Sequence, residues 1–332
     1  ARPLAALWLP DDLRRLVSEL APGLARDGGS LIVRGPEHNG RGTLLAALAA
    51  AEGRQALFVD WPLPEGDAPA WLGAFCTLAN ARPILRLKAT PGERLRLPRL
   101  AGYGGWLGIV CGDEDAIEAP PAPSHCLRIP LPDAGLRTRM LQAARPAADI
   151  GENAALASLL HLSSGHLLRA LDAVDVAHGP PAAQAARLRQ VALAGGSAEL
   201  DSLARRLETA GADWQALVLD GELQRELQLL EARCRLRDRL RETLPAAFAS
   251  RLNAGVRSLF AGPSGTGKTF AAQVLAERLG VPLYRLDLSS VVSKYIGETE
   301  RNLHRLLAAA EALDVMLLLD EGDALLARRT AV

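Results

Sequence analysis

Aromatic side chains are scarce in this 332-residue chain: three Tyr, five Phe and five Trp, 4% of the residues. Gripping single-stranded nucleic acid needs aromatics interleaved with cations, and no stretch here offers that. Charge of either sign is not in excess, since Lys+Arg and Asp+Glu both total 38. No global field draws the chain to nucleic acid or to an anionic membrane. Cysteine is rare too: Cys76, Cys111, Cys126 and Cys234 stand far apart with no C-x-x-C pair. That excludes a disulfide framework or a thiolate zinc site and fits small apolar residues of a reduced compartment. The six histidines show no H-E-x-x-H spacing. No apolar run reaches membrane-spanning length, and no signal peptide opens the chain, so a cytoplasmic protein is expected. Position 1 is Ala rather than Met, and the natural N-terminus is expected to lie upstream.

Present instead are 49% hydrophobic and 23% charged residues, an ordinary globular balance. The length suits about two domains, each with its own core. The bias toward Ala, Leu, Arg and Pro suggests a GC-rich bacterial genome.

The stretch around which the chemistry is organised is Gly262-Pro263-Ser264-Gly265-Thr266-Gly267-Lys268-Thr269. It fits the G-x-x-x-x-G-K-[ST] phosphate-binding loop. Residues 256–261 read as a buried strand entering it, and Phe270, Val274, Leu275 and Leu279 give the following stretch a helical apolar face. Such glycines let backbone N–H groups and a helix N-terminus surround phosphates. Lys268 adds a positive charge there, and the Thr269 hydroxyl is placed to ligate Mg²⁺. A chance glycine turn has no reason to sit between a strand and an amphipathic helix.

The same order occurs earlier. A helix is predicted from Asp11, then a strand over 30–34, a loop from Gly35 through Gly40, Arg41 and Gly42 to Thr43, a helix over 44–51 and a strand over 56–60. Gly35 to Asp60 and Gly262 to Asp287 both span 25 positions, so the halves read as copies of one unit. The first copy is chemically degraded. Arg41 stands where the lysine belongs, which is not a neutral exchange, and Gly42 reads as an added residue before Thr43. The strand over 83–87 runs into Lys88 with no carboxylate to hold Mg²⁺ or orient water. Further strands are predicted over 106–111 and 126–129, and helices over 136–144, 153–162 and 167–176. Arg169 reads either as a solvated arginine or as a nucleotide sensor on a helical lid. Gly179-Pro180-Pro181 and Gly195-Gly196-Ser197 break the pattern, and the domain boundary is expected around them.

In the second half, helices are predicted over 200–210 and from Leu223 to Cys234, the latter with a mixed-charge face that reads as solvated or subunit-contacting. The apolar run 314–319 reads as a central parallel strand, ending in Asp320-Glu321. There Asp320 would reach Mg²⁺ and Glu321 would polarise the attacking water. Lys294-Tyr295-Ile296-Gly297 reads as an exposed loop before a helix starting at Thr299.

Gly262 to Thr269, Lys294 to Glu300 and Leu318 to Glu321 together resemble an AAA-type ATPase module, similar to AAA proteins that remodel or unfold other proteins. The resemblance covers about 213–332, with the lead-in Asp213-Trp214 to Leu219. The first half resembles a degenerate AAA+ module, as in a group of bacterial ATP-binding proteins with an inactive first module. The resemblance implies an α/β fold of two tandem P-loop AAA+ modules, each a parallel sheet flanked by helices. Residues 1–195 would form the degenerate module, with a helical lid over about 132–180. Residues 196–332 would form a large subdomain lacking its C-terminal part, including the sensor strand, arginine finger and lid, so weak or no turnover is expected of this length. The resemblance further implies ATP and Mg²⁺ as cofactors, Lys268 and Thr269 as phosphate and metal contacts, and Asp320 and Glu321 as metal carboxylate and catalytic glutamate. Tyr295-Ile296-Gly297 matches a pore loop gripping polypeptide in a homo-hexamer. The implied function is an ATP-driven remodeller acting on a protein or protein assembly, with no nucleic acid or membrane partner. The alternative is a nucleotide-gated assembly or scaffold ATPase, associated with a contractile injection system, with little threading.

Overall fold

A computed structural model of the chain describes residues 3–63, 70–88, 93–174, 179–237, 243–244, 255–288 and 296–321. They fall into two compact units, one of residues 1–132 with 163–166, the other of 133–162 with 167–332.

The first unit begins with α1 (Asp11–Asp27), whose two N-terminal aspartates suit the positive end of the helix and whose Leu13, Val17 and Leu24 are buried. Then follow β1 (Ser30–Arg34), α2 (Arg41–Ala51), β2 (Gln55–Trp61), α3 (Leu72–Leu78), β3 (Ala81–Leu87), β4 (Arg94–Arg96), β5 (Leu107–Cys111), β6 (Ala116–Glu118) and β7 (Ser124–Arg128). Five strands form one sheet in the order β2-β3-β5-β1-β7, and every pairing in it is parallel. β1 lies at the interior, with Ile32 opposite Ile109 on one side and Cys126 on the other. Strands covered on both faces must be apolar throughout, which is why 31–33 and 107–111 read as unbroken runs. Leu31 and Val33 face a core shared with Leu13, Val17, Leu44, Leu48, Ile84 and Trp106. Ile32, Leu85 and Ile109 face the opposite core with Trp61, Leu95 and Leu107. Burying each such side chain is worth about 1.5–3 kcal/mol.

The second unit contains α4 (Ala134–Ala144), α5 (Ile150–Leu159), most of α6 (Ser164–Ala173), α7 (Pro181–Ala194), α8 (Ala198–Leu203), β8 (Arg205–Leu207), α9 (Gly221–Arg235), α10 (Lys268–Leu279), β9 (Leu283–Asp287), α11 (Ile296–Leu313) and β10 (Met316–Asp320). Asp133, Asp149 and Asp220 cap α4, α5 and α9 by accepting from Leu136, Gly151 and Leu223 backbone N–H groups. The sheet order is β10-β9-β8, with β10 parallel and β8 antiparallel to β9. The α/β reading, a parallel sheet flanked by helices, agrees with the described residues.

Four details differ from the sequence reading. The helix expected over 200–210 stops at Leu203, and Arg205–Leu207 pairs on the edge of β9. α2 starts at Arg41, not Leu44. α11 starts at Ile296, so Ile296 and Gly297 are its first residues rather than loop, while Tyr295 lies outside the described residues. Residues 256–261 form no strand, and Leu259 is 82% exposed. In the first sheet the corresponding strand, β1, pairs with β5 and β7, both later in the chain than β3. In the second unit the described residues reach only the end of β10, so 256–261 has no such neighbours among them. No described helix is long and apolar enough to cross a membrane.

Candidate functional site

The loop at 262–267 takes its shape from three residues of positive φ: Gly262 (152°), Gly265 (82°) and Gly267 (84°). Gly267 is the left-handed N-cap of α10, which therefore starts at Lys268. A side chain at such a φ costs about 1–2 kcal/mol, and a methyl on Gly265 would meet nothing within 4 Å. The cradle is open and exposed. Lys268 Nζ folds over it, donating to Gly262 O at 2.9 Å and Pro263 O at 2.6 Å, and Thr269 follows in the first helical turn. An open loop, a helix N-terminus, a lysine and a hydroxyl together fit a polyphosphate with its metal ion.

The loop at 35–40 has the same backbone. Gly35 (φ 137°), His38 (φ 53°) and Gly40 (φ 84°) stand at the same separations as their counterparts. Gly40 is the left-handed cap of α2. Arg41 is thus the positional equivalent of Lys268 and Gly42 that of Thr269, so Gly42 is a replacement rather than an insertion, and Thr43 sits one place beyond the hydroxyl position. Arg41 does not fold over the loop; its Nη1 donates to Cys111 O at 2.6 Å. Burial pulls its pKa down, opposed by Glu37, Cys111, Asp115 and Asp113. The loop is also held by its own chain. Asn39 is buried, donating to Ile129 O and Pro130 O and accepting from the Ser164 N–H and hydroxyl. The Gly165 N–H donates to His38 O at 2.8 Å. A methyl on Gly165 would lie 2.4 Å from that oxygen, which forces glycine there. Arg169 is exposed on α6.

β10 places Asp320 and Glu321 at its C-terminal end. Asp320 Oδ2 lies 2.7 Å from Arg285 Nη2, and Oδ1 accepts from the Glu321 N–H at 3.0 Å. Glu321 is exposed with φ 56°. α10 packs near β10 and β9 through Ala272, Ala276, Leu283, Met316 and Leu318, so the lysine helix and the acid strand share one core. In register, Asp320 faces Asp287 across the sheet. In the first sheet Asp60 faces Arg86, with the ion pair at 2.7 Å and Lys88 2.9 Å from the same carboxylate. Arg86 thus stands opposite Asp60 as Asp320 stands opposite Asp287, so at this register position the first sheet has a cation where the second has a carboxylate. Sequence reading treated Asp287 only as a spacing marker and passed over Arg285; their alternation with buried neighbours on β9 was the available signal.

Beside the second loop, a methyl on Gly267 would lie 4.0 Å from Leu217. Leu217, like Trp214 and Leu219, packs against the cluster of Leu227, Ala271 and Leu275, so the lead-in segment brings an apolar side chain next to the cradle. Among the described residues no group of three or more His, Cys, Asp or Glu could hold a metal ion by itself. Mg²⁺ in phosphate sites is typically bound by one or two protein groups plus phosphate oxygens, so this does not conflict with Thr269 and Asp320.

Residues 258–332 match the family model described as ATPase family associated with various cellular activities, AAA. An AAA family ATPase, y4kL, of Sinorhizobium fredii is 42% identical over 69 residues, 21% of this chain and 21% of its own. ATP-dependent zinc metalloprotease FtsH 3 of Sphaerobacter thermophilus is 32% identical over 142 residues, 42% of this chain and 27% of its own. A putative 26S proteasome regulatory subunit homolog of Methanothermobacter thermautotrophicus is 38% identical over 68 residues, 20% of this chain and 18% of its own. The chain thus spans roughly a fifth to a quarter of the length of these relatives. The likeness to AAA ATPases thus lies in the segment that carries the loop and the acid pair.

Proposed function

We propose that the protein binds ATP with Mg²⁺ at Gly262–Thr269 and hydrolyses it to remodel or unfold a protein or protein assembly. The observation that carries this reading is the glycine-framed loop capping α10, with α10 packed beside the strand that ends in Asp320-Glu321. Backbone N–H groups of the loop bind the phosphates, and Lys268 leaves its carbonyl partners to meet them. Thr269 and Asp320 would hold the metal ion, which when bound supplies positive charge against the phosphate oxygens. Glu321 orients the attacking water and takes its proton. The apolar side chains of Trp214, Leu217 and Leu219 suit a nucleoside base.

The chain is read as two tandem modules: 1–195, with a helical lid over about 132–180, and 196–332. The shared loop backbone and the 25-position spacing support this. The relatives' printed functions, proteolysis and proteasome regulation, support a protein substrate. A homo-hexamer with Tyr295-Ile296-Gly297 at its channel remains part of the proposal. The fastened first loop favours one further possibility, that the first half docks a partner and ATP governs assembly only.

The test is nucleotide binding, turnover and particle size in ATP for the full-length protein and its Lys268→Ala, Glu321→Gln and Tyr295→Ala variants. Lys268→Ala should lose binding, and Glu321→Gln should bind without turnover. Tyr295→Ala should hydrolyse ATP without remodelling; intact remodelling in that variant would remove the channel role.

A further inference from the structure

Asp314 stands between α11 and β10 with φ 53° and is 6% exposed. Its Oδ2 accepts from Arg189 Nε at 3.0 Å and from the His161 backbone N–H at 3.2 Å; its Oδ1 accepts from Arg237 Nη2 at 2.6 Å. Arg189, buried on α7, donates its remaining groups to Gly280 O at 2.8 Å and to Leu159 O. Gly280 caps the end of α10, and Asp314 leads into β10. One guanidinium therefore holds the rear ends of the two elements whose front ends carry Lys268 and Asp320. Its other acceptor, Leu159 O, is at the end of α5, and His161, whose N–H donates to Asp314, follows two residues later.

We infer that Arg189 is a positioning residue for the second phosphate site, and that through it occupancy of that site is felt in α5 and α7. The inference rests on the proposed nucleotide binding at Gly262–Thr269. Its physical basis is the rigid planar fork of arginine, which fixes several acceptors at once. A short helix and a strand carry a displacement at one end to the other, and both ends here meet the same side chain. Because Arg189 lies on α7 and Leu159 ends α5, the site is held in part from outside the segment that matches the family model.

The experiment uses the full-length protein, a fluorescent non-hydrolysable ATP analogue with Mg²⁺, and hydrogen exchange across 150–161 and 181–194. In the wild type, saturation should slow exchange there by about fivefold, the lower end of ordinary coupling, with no effect in Lys268→Ala. Asp314→Asn and Arg189→Lys, conservative enough to keep the fold by circular dichroism, should bind about tenfold more weakly. They should also lose the exchange response at saturation. Two results overturn the inference alone: wild-type binding with no response in α5 and α7, or both variants keeping the response at saturation. Absence of nucleotide binding by the wild type would overturn the proposed function, and this inference with it.

Discussion

Arg189 and Asp314 meet with 3.0 Å between Nε and Oδ2, their side chains only 5% and 4% exposed. Burial alone would push the Asp314 carboxyl up; the Arg189 charge, His161 and the Arg237 charge instead hold it well below the usual carboxylate range. A carboxyl depressed in the native state binds fewer protons there than in the unfolded chain. Its contribution is therefore complete above the unfolded value of about 3.9 and is lost as pH falls from there through the native value. The urea midpoint of the wild type should fall through this acid window, and Asp314→Asn should show a shallower fall. Equal slopes would remove Asp314 from the acid response. At neutral pH, Asp314→Ala should cost about 3–5 kcal/mol, because it leaves a buried guanidinium without its partner.

Asn39 gives a second expectation. Its side chain joins the first loop to Ser164, Ile129 and Pro130 with four hydrogen bonds. Asn39→Ala should destabilise the protein by about 1–3 kcal/mol through unsatisfied buried groups. Nucleotide affinity should be unchanged, because the open loop is the one at Gly262. Denaturant unfolding with a parallel binding titration reads both. A large loss of affinity would mean that the first loop takes part in binding.

Much of this was legible from residues 30–60 and 262–320. Phosphate loops, parallel strands and helix caps are local devices, and each leaves a local pattern: alternating glycines, unbroken apolar runs and aspartates before helices. Residues 256–261 misled because Val256, Leu259 and Phe260 report burial only when neighbours exist to cover them, and the neighbours of β1 come from far along the chain. The replacement of the Thr269 hydroxyl by Gly42 was hidden because motif reading counts residue types. The backbone counts positions from Gly35. Arg189 and Asp314 lie 125 positions apart, and nothing in either local sequence marks them as a pair.

Stoichiometry follows from the first loop's side chains. Arg41 is drawn to Cys111 O, Gly42 lacks a hydroxyl, and Arg86 faces Asp60 where the second sheet has Asp320. Equilibrium dialysis should find one nucleotide per chain in the wild type and none in Lys268→Ala. Restoring Lys and Thr at Arg41 and Gly42 should leave the count unchanged, because Arg86 and Lys88 still pair with Asp60. A second bound nucleotide in that variant would place the whole defect in the loop.

The facing carboxylates of Asp287 and Asp320 lead to the last expectation. Like charges directly opposite across a sheet repel, and here Arg285, 2.7 Å from Asp320, offsets them. Both partners are partly exposed, at 43% and 29%, so solvent screens the pair and its loss should cost only about 0.2–1 kcal/mol. Arg285→Ala removes the cation held against Asp320, which makes the facing carboxylates a better site for a divalent ion than the wild type provides. Millimolar Mg²⁺ without nucleotide should therefore raise the melting temperature of Arg285→Ala more than that of the wild type, and Asp287→Asn in the same background should abolish the difference. Equal Mg²⁺ responses in all three proteins would show that the two carboxylates do not act together. The larger response in Arg285→Ala would show that Arg285 competes with the metal ion for Asp320, so that binding Mg²⁺ with nucleotide requires this arginine to release one carboxylate oxygen.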